Sequence, residues 1–227
     1  MSNTKTVMSQ AANTQGLPLD ITDVFSTYLY TGTGAALTIN NGIDLAGEGG
    51  LVWVKRRDAA VNHYIFDTER GVGNYIITNS TAAQNNLEGI SAFNTDGFSV
   101  GTAISTGMNT SGGDYASWTF RKAPKFFDVV TYTGDGVAGR EIAHNLGSVP
   151  GFIVVKKTNA SGDWVIQHRS LGAQGSGNIR LNSTDAAISN GQHYWGDGTV
   201  GIDPTSSVFT VDNHTWVNNS GDTYVAY

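Results

Sequence analysis

Apolar residues in this chain come in short runs separated by clusters of Gly, Asn, Ser and Asp, the spacing of strands joined by turns. Inside a run the period is two. Ala116, Trp118 and Phe120 fall on one side of an extended segment, and Tyr115, Ser117 and Thr119 on the other. Residues 52–55 and 152–156 are continuous apolar runs ending in cations, the pattern of buried strands that emerge into solvent. Residues 1–24 show no period and contain Gly16-Leu17-Pro18, which reads as an extended N-terminal arm or linker.

From Phe25 onward the pattern occurs twice. Residues 25–32 align with 127–134, 50–56 with 151–157, 63–66 with 163–166 and 79–83 with 182–187. Residues 97–100 align with 208–211, and the closing segments 109–118 and 218–227 both run from an Asn/Ser/Gly turn into an aromatic strand. The offset is 100–103 residues in the first four blocks, 111 at Phe98/Phe209 and 109 at Tyr115/Tyr224. Loops absorb insertions that strands cannot, so a constant offset within blocks and jumps between them describe a structural repeat. The largest insertion lies between Asn182 and Phe209 and carries His193, Tyr194 and Trp195. Each unit offers roughly seven or eight short segments, as a β-sandwich does. The expected organisation is an arm (1–24), a first sandwich (25–122) and a second (123–227), with the charged, proline-containing junction 121–125 between them.

Composition sharpens this. Charged residues are 14% of the 227, against about 25% in ordinary globular proteins, and 29 glycines stand in their place. That disfavours long solvated helices. A formal net charge of −6 disfavours nucleic acid as a partner. There is no Cys, hence no disulfide or thiolate chemistry. The first residues lack the apolar core of a secretion signal, and no run approaches the length of a membrane span. No cofactor or metal is expected, because His63, His144, His168, His193 and His214 show no ligand spacing.

Four motifs carry possible chemistry. Gly134, Gly136 and Gly139 fit the dinucleotide string G-x-G-x-x-G, but residues 140–150 are too short and broken a stretch to form its helix, so a hairpin loop is expected. Asp67 and Glu69, two apart on an expected strand, have the residue types of a glycosidase pair; the bland alternative is an ion pair with Arg70 or a nearby cation. A basic cluster, Lys55, Arg56, Arg57, Lys156 and Lys157, occupies equivalent sites in the two units. It suits anionic sugars or phosphates, or it keeps a sheet edge solvated. His193, Tyr194, Trp195, His214 and Trp216 gather rings of the kind on which sugar faces stack; core or an oligomer contact is the competing reading.

Residues 182–184, 204–209 and 220–227 resemble a module found in tail-fibre and other virion proteins of marine tailed bacteriophages. The likeness spans residues 25–227 and is tightest in the second unit. It implies concanavalin-like jelly-roll sandwiches and a virion structural protein made in the host cytoplasm. It implies no catalytic residues. Chains of that kind continue past the position of Tyr227, as Trp118 continues into Thr119 and Phe120. The expected function is therefore a non-enzymatic tail fibre or fibre adaptor. It would oligomerise, with a trimer favoured, join other virion proteins through its arm and contribute to attachment to host-surface glycans. A capsid decoration or head-fibre protein and a glycan-active enzyme are the alternatives.

Overall fold

The computed structural model describes residues 19–87, 89–102, 107–171, 177–187 and 194–227. The first half holds α1 (Ile21–Val24), β1 (Phe25–Thr31), β2 (Leu37–Asn40), α2 (Leu45–Glu48), β3 (Gly50–Arg56), β4 (His63–Asp67), β5 (Asn74–Ile77), β6 (Asn85–Asn86), β7 (Ile90–Asn94), β8 (Gly97–Val100) and β9 (Asp114–Arg121). The second holds β10 (Val130–Thr133), β11 (Arg140–Ala143), β12 (Phe152–Lys157), β13 (Trp164–His168), β14 (Ile179–Arg180), β15 (Val208–Val211) and β16 (Thr223–Ala226). The molecule is nearly all β, in antiparallel sheets, as the period-two alternation requires.

A large sheet of order β1-β9-β3-β4-β5-β6 faces a smaller one, β2-β8-β7. In the second half β10-β16-β12-β13-β14 faces β11-β15. Each pair encloses a core. One is built on Val52, Val54, Phe66, Phe98 and Tyr115, the other on Val155, Val165, Phe209, Val211 and Tyr224. A third core joins the halves: Leu51, Ile65 and Ile76 pack against Val154, Trp164, Ile166 and Val225. Alternate residues of β3 and β12 thus face different cores, which makes four layers in which the two large sheets lie back to back.

The closing Asn-Ser-Gly turns are knots that tie sheet to loop. Asn109 receives Thr33 N–H and donates to the Ala35 and Gly101 carbonyls; Asn218 receives Asp135 N–H and donates to Asp135 and the Val137 carbonyl. Each knot sits under a tyrosine stack, Tyr30 on Tyr115 at 4.9 Å and Tyr132 on Tyr224 at 5.1 Å. The turns press so close that a Cβ on Gly32 or Gly134 would lie 2.3 or 2.1 Å from a carbonyl oxygen of Thr110 or Asn219.

Strand pairing corrects the register of one block. Val54 pairs with Tyr64 and Val155 with Val165, so His63 takes the place of Trp164, not of Asp163. The caps agree: Asn79 accepts His63 N–H at 3.0 Å, and Asn182 accepts Trp164 N–H at 2.8 Å. A one-residue slip exchanges the faces of a strand, and a run apolar on both faces does not reveal it. On this pairing Asp67 stands opposite Leu51 as His168 stands opposite Phe152.

Three further expectations change. The Gly134–Gly139 segment is not a hairpin, since β10 and β11 belong to different sheets; it crosses between them. Residues 1–18 of the expected arm lie outside the described residues, but its end is not extended. Asp20 caps α1, and Val24 is fully buried. The junction 121–125 is built in: Arg121 still pairs with Gly50, and Ala123 bridges Phe127 around a turn in which Lys125 has φ 64°.

Candidate functional site

Four of the five aromatic candidates meet in space, Tyr194 and Trp195 in the core and His214 and Trp216 half-buried beside it. Tyr194 is 0% and Trp195 2% exposed. Tyr194 stacks on Trp216 at 5.8 Å and meets the His214 ring edge-on at 4.5 Å, while Arg180 caps the Trp216 ring at 5.0 Å. Burial holds His214 below the usual imidazole range and raises the Tyr194 phenol. The ring faces of this group are taken by one another, so Tyr194 and Trp195 offer a sugar no platform. His193 lies outside the described residues.

The basic cluster is dispersed. Lys55 Nζ donates to the Val61 carbonyl at 2.6 Å, and Arg56 pairs with Asp58 at 2.7 Å. Arg57 is exposed. The expectation that β12 emerges into solvent at its cations fails, because Lys156 is 0% and Lys157 6% exposed. Lys156 Nζ donates to the carbonyls of Thr81 and Lys157, and burial lowers its pKa to about 8. Lys157 is locked to Asp222 at 2.6 Å. These two lysines fasten the halves and the final strand; they do not form an anion patch.

Asp67 and Glu69 point to different partners. Asp67 closes β4 with no exposure, and its Oδ2 accepts from Arg70 Nε and from the Tyr227 hydroxyl, both at 2.6 Å. Burial pushes the Tyr227 phenol well above its usual range, so it remains a donor. Glu69 lies in the following turn and pairs with Lys122 at 2.7 Å. The ion-pair alternative describes Glu69, with Lys122 as the cation.

The open site is one the sequence did not single out. A cleft of about 610 Å³ lies between the two halves, lined by residues of both. That volume lies within the range of small-ligand sites. Trp53 and Phe120 of the first sheet and Phe126 and Phe127 of the junction line it half-buried, while Ile65, Val154 and Trp164, which also border it, belong to the core between the halves. The rings run in a chain, Phe120 to Phe127 at 5.5 Å, Phe127 to Tyr227 at 6.5 Å and Tyr227 to Trp164 at 6.4 Å. The indole N–H of Trp53 is buried with no partner among the described residues. At the mouth, Val149, Phe152 and Leu181 are 61%, 53% and 40% exposed. Polar groups enter there: Lys125, Ser148, His168 and Arg169. The lining thus joins an aromatic interior to a few polar groups, among them also Asp128 and His144, the composition of a small-ligand site.

Residues 20–227 match one family model, described as "Domain of unknown function (DUF7483)". No curated protein and no solved structure matches the chain.

Proposed function

The chain belongs to the DUF7483 family, and we propose that it is a non-catalytic structural protein of a tailed-phage virion, a fibre or fibre adaptor that binds host-surface glycans. The observation that carries this is the cleft between the halves, with its aromatic lining. The halves are read as two copies of one jelly-roll sandwich. Their shared strand order and the matching pairs Tyr30/Tyr115 and Tyr132/Tyr224 support that reading. Back-to-back packing of two such copies leaves a crevice along one edge, and a glycan presents CH faces to the rings that line it. The capture of Asp67 by Arg70 and Tyr227 supports a role without catalysis. Assembly as a homo-oligomer, with a trimer favoured, and joining to other virion proteins through the N-terminal arm, residues 1–24, complete the proposal.

Immunogold labelling of purified particles of the encoding phage tests it. Label on the tail fibres is expected. Label over the head surface would favour the capsid-decoration alternative, and particles without the chain would overturn the virion assignment. Glycan cleavage by the purified chain, lost in Asp67→Ala/Glu69→Ala with folding retained, would overturn the non-catalytic part.

A further inference from the structure

The rim of the cleft indicates which class of glycan it takes, an inference that rests on reading the cleft as a glycan site. Among the described residues, every Lys and Arg side chain except Arg57, Lys125 and Arg169 has a carboxylate or hydrogen-bond partner. Two of those three line this cleft. In a chain with 19 acidic and 13 basic residues, an unpaired cation is the exception, and two on one ligand surface form a pattern.

The backbone places both on a single rim. Lys125 N–H donates to the Leu146 carbonyl at 2.7 Å, and Arg169 N–H donates to the Gly151 carbonyl at 3.1 Å. The two cations are therefore fastened to the ends of one loop, residues 146–151, which spans at most about 18 Å. A short oligosaccharide lying along that loop meets both. The one carboxylate on the lining, Asp128, does not cancel them. Its oxygens accept Val129 N–H at 2.9 Å and Asn145 N–H at 2.7 Å, and Lys122 Nζ lies 3.5 Å away. Lys125 also occupies a left-handed backbone conformation, φ 64°, at the third position of a turn, where Gly or Asn is the usual residue.

We infer that the cleft binds an acidic oligosaccharide of the uronic- or sialic-acid class. Lys125 and Arg169 take its carboxylates, and its CH faces lie on rings such as Trp53 and Phe152. Calorimetric titration of the full chain with tri-galacturonate and 3′-sialyllactose, against cellotriose and lactose as neutral counterparts, tests this. An acidic probe is expected to bind at least about tenfold more tightly than its neutral counterpart and to weaken as salt rises. Lys125→Ala and Arg169→Ala should each weaken it by about tenfold, while Arg57→Ala leaves it unchanged. All three positions are at the surface, so the variants fold. Equal affinity for acidic and neutral probes, with loss in Phe152→Ala, would overturn the acidic assignment and leave the cleft reading standing. Binding of dodecanoate, an acyl carboxylate, in place of either acidic sugar would overturn the sugar. No binding of any saccharide would overturn both readings.

Discussion

At the scale of single residues, two lysines have the sharpest consequences, Lys125, which no motif singled out, and Lys156 of the basic cluster. Lys125 bears a backbone conformation that costs an L-residue about 1–2 kcal/mol, a cost glycine does not share. Lys125→Gly is therefore expected to raise the urea midpoint slightly while weakening capture of an acidic sugar, a stability gain opposed to function. Lys156 makes a prediction about pH. Burial brings its folded-state pKa to about 8, while the unfolded chain holds its proton up to about pH 10.4. Between those values the unfolded chain binds more protons than the folded one, so stability rises with pH across that window and is lowest below it. Above about pH 10 the buried phenols of Tyr132 and Tyr227, raised by burial, act in the opposite sense. Urea unfolding at pH 7.5, 8.5 and 9.5 should show the rise, and Lys156→Met should flatten it. A flat wild-type profile would mean that the ammonium is not held in the folded interior.

At the scale of elements, much of the architecture was legible because period-two alternation and turn residues are local signals. The closing Asn-Ser-Gly turns were readable as turn chemistry before their partners were known. Asn218→Ala removes a buried side chain that serves the β10–β11 crossover through Asp135 and Val137. It is expected to cost about 1–3 kcal/mol in chemical denaturation, with Asn109→Ala costing a similar amount. The register of β4 against β13 was not legible, since both runs are apolar on both faces and either alignment satisfies them. The exposure of β12 was misjudged for a related reason. A terminal lysine normally marks a strand leaving the core, but here Thr81 and Asp222 come in from distant segments to satisfy Lys156 and Lys157. The cleft was invisible for the same cause. Trp53 and Phe127 are ordinary core residues in one dimension and come to line a cleft only when the two halves meet.

At the scale of the whole molecule, the halves are fastened by more than their apolar face. Trp164 Nε1 donates to the Ile77 carbonyl at 3.0 Å, and the Tyr227 hydroxyl reaches Asp67 and Arg70 in the opposite half. Unfolding is thus expected to be one cooperative transition. Tyr227→Phe, which leaves part of a buried ion pair unsatisfied, should lower stability by about 1–3 kcal/mol without splitting that transition; two separate calorimetric peaks in the wild type would contradict the shared core. This back-to-back union also creates the only surface on which the rings and the free cations coincide among the described residues, and the central claim is that this cleft is the functional face. Binding of the fluorescently labelled full chain to host cells tests it most directly, with Phe152→Asp placing a carboxylate at the mouth and Arg57→Asp altering an unpaired cation off the cleft. Cell-bound signal should fall about tenfold for Phe152→Asp and stay at the wild-type level for Arg57→Asp; equal binding by all three proteins would contradict the cleft as the functional face.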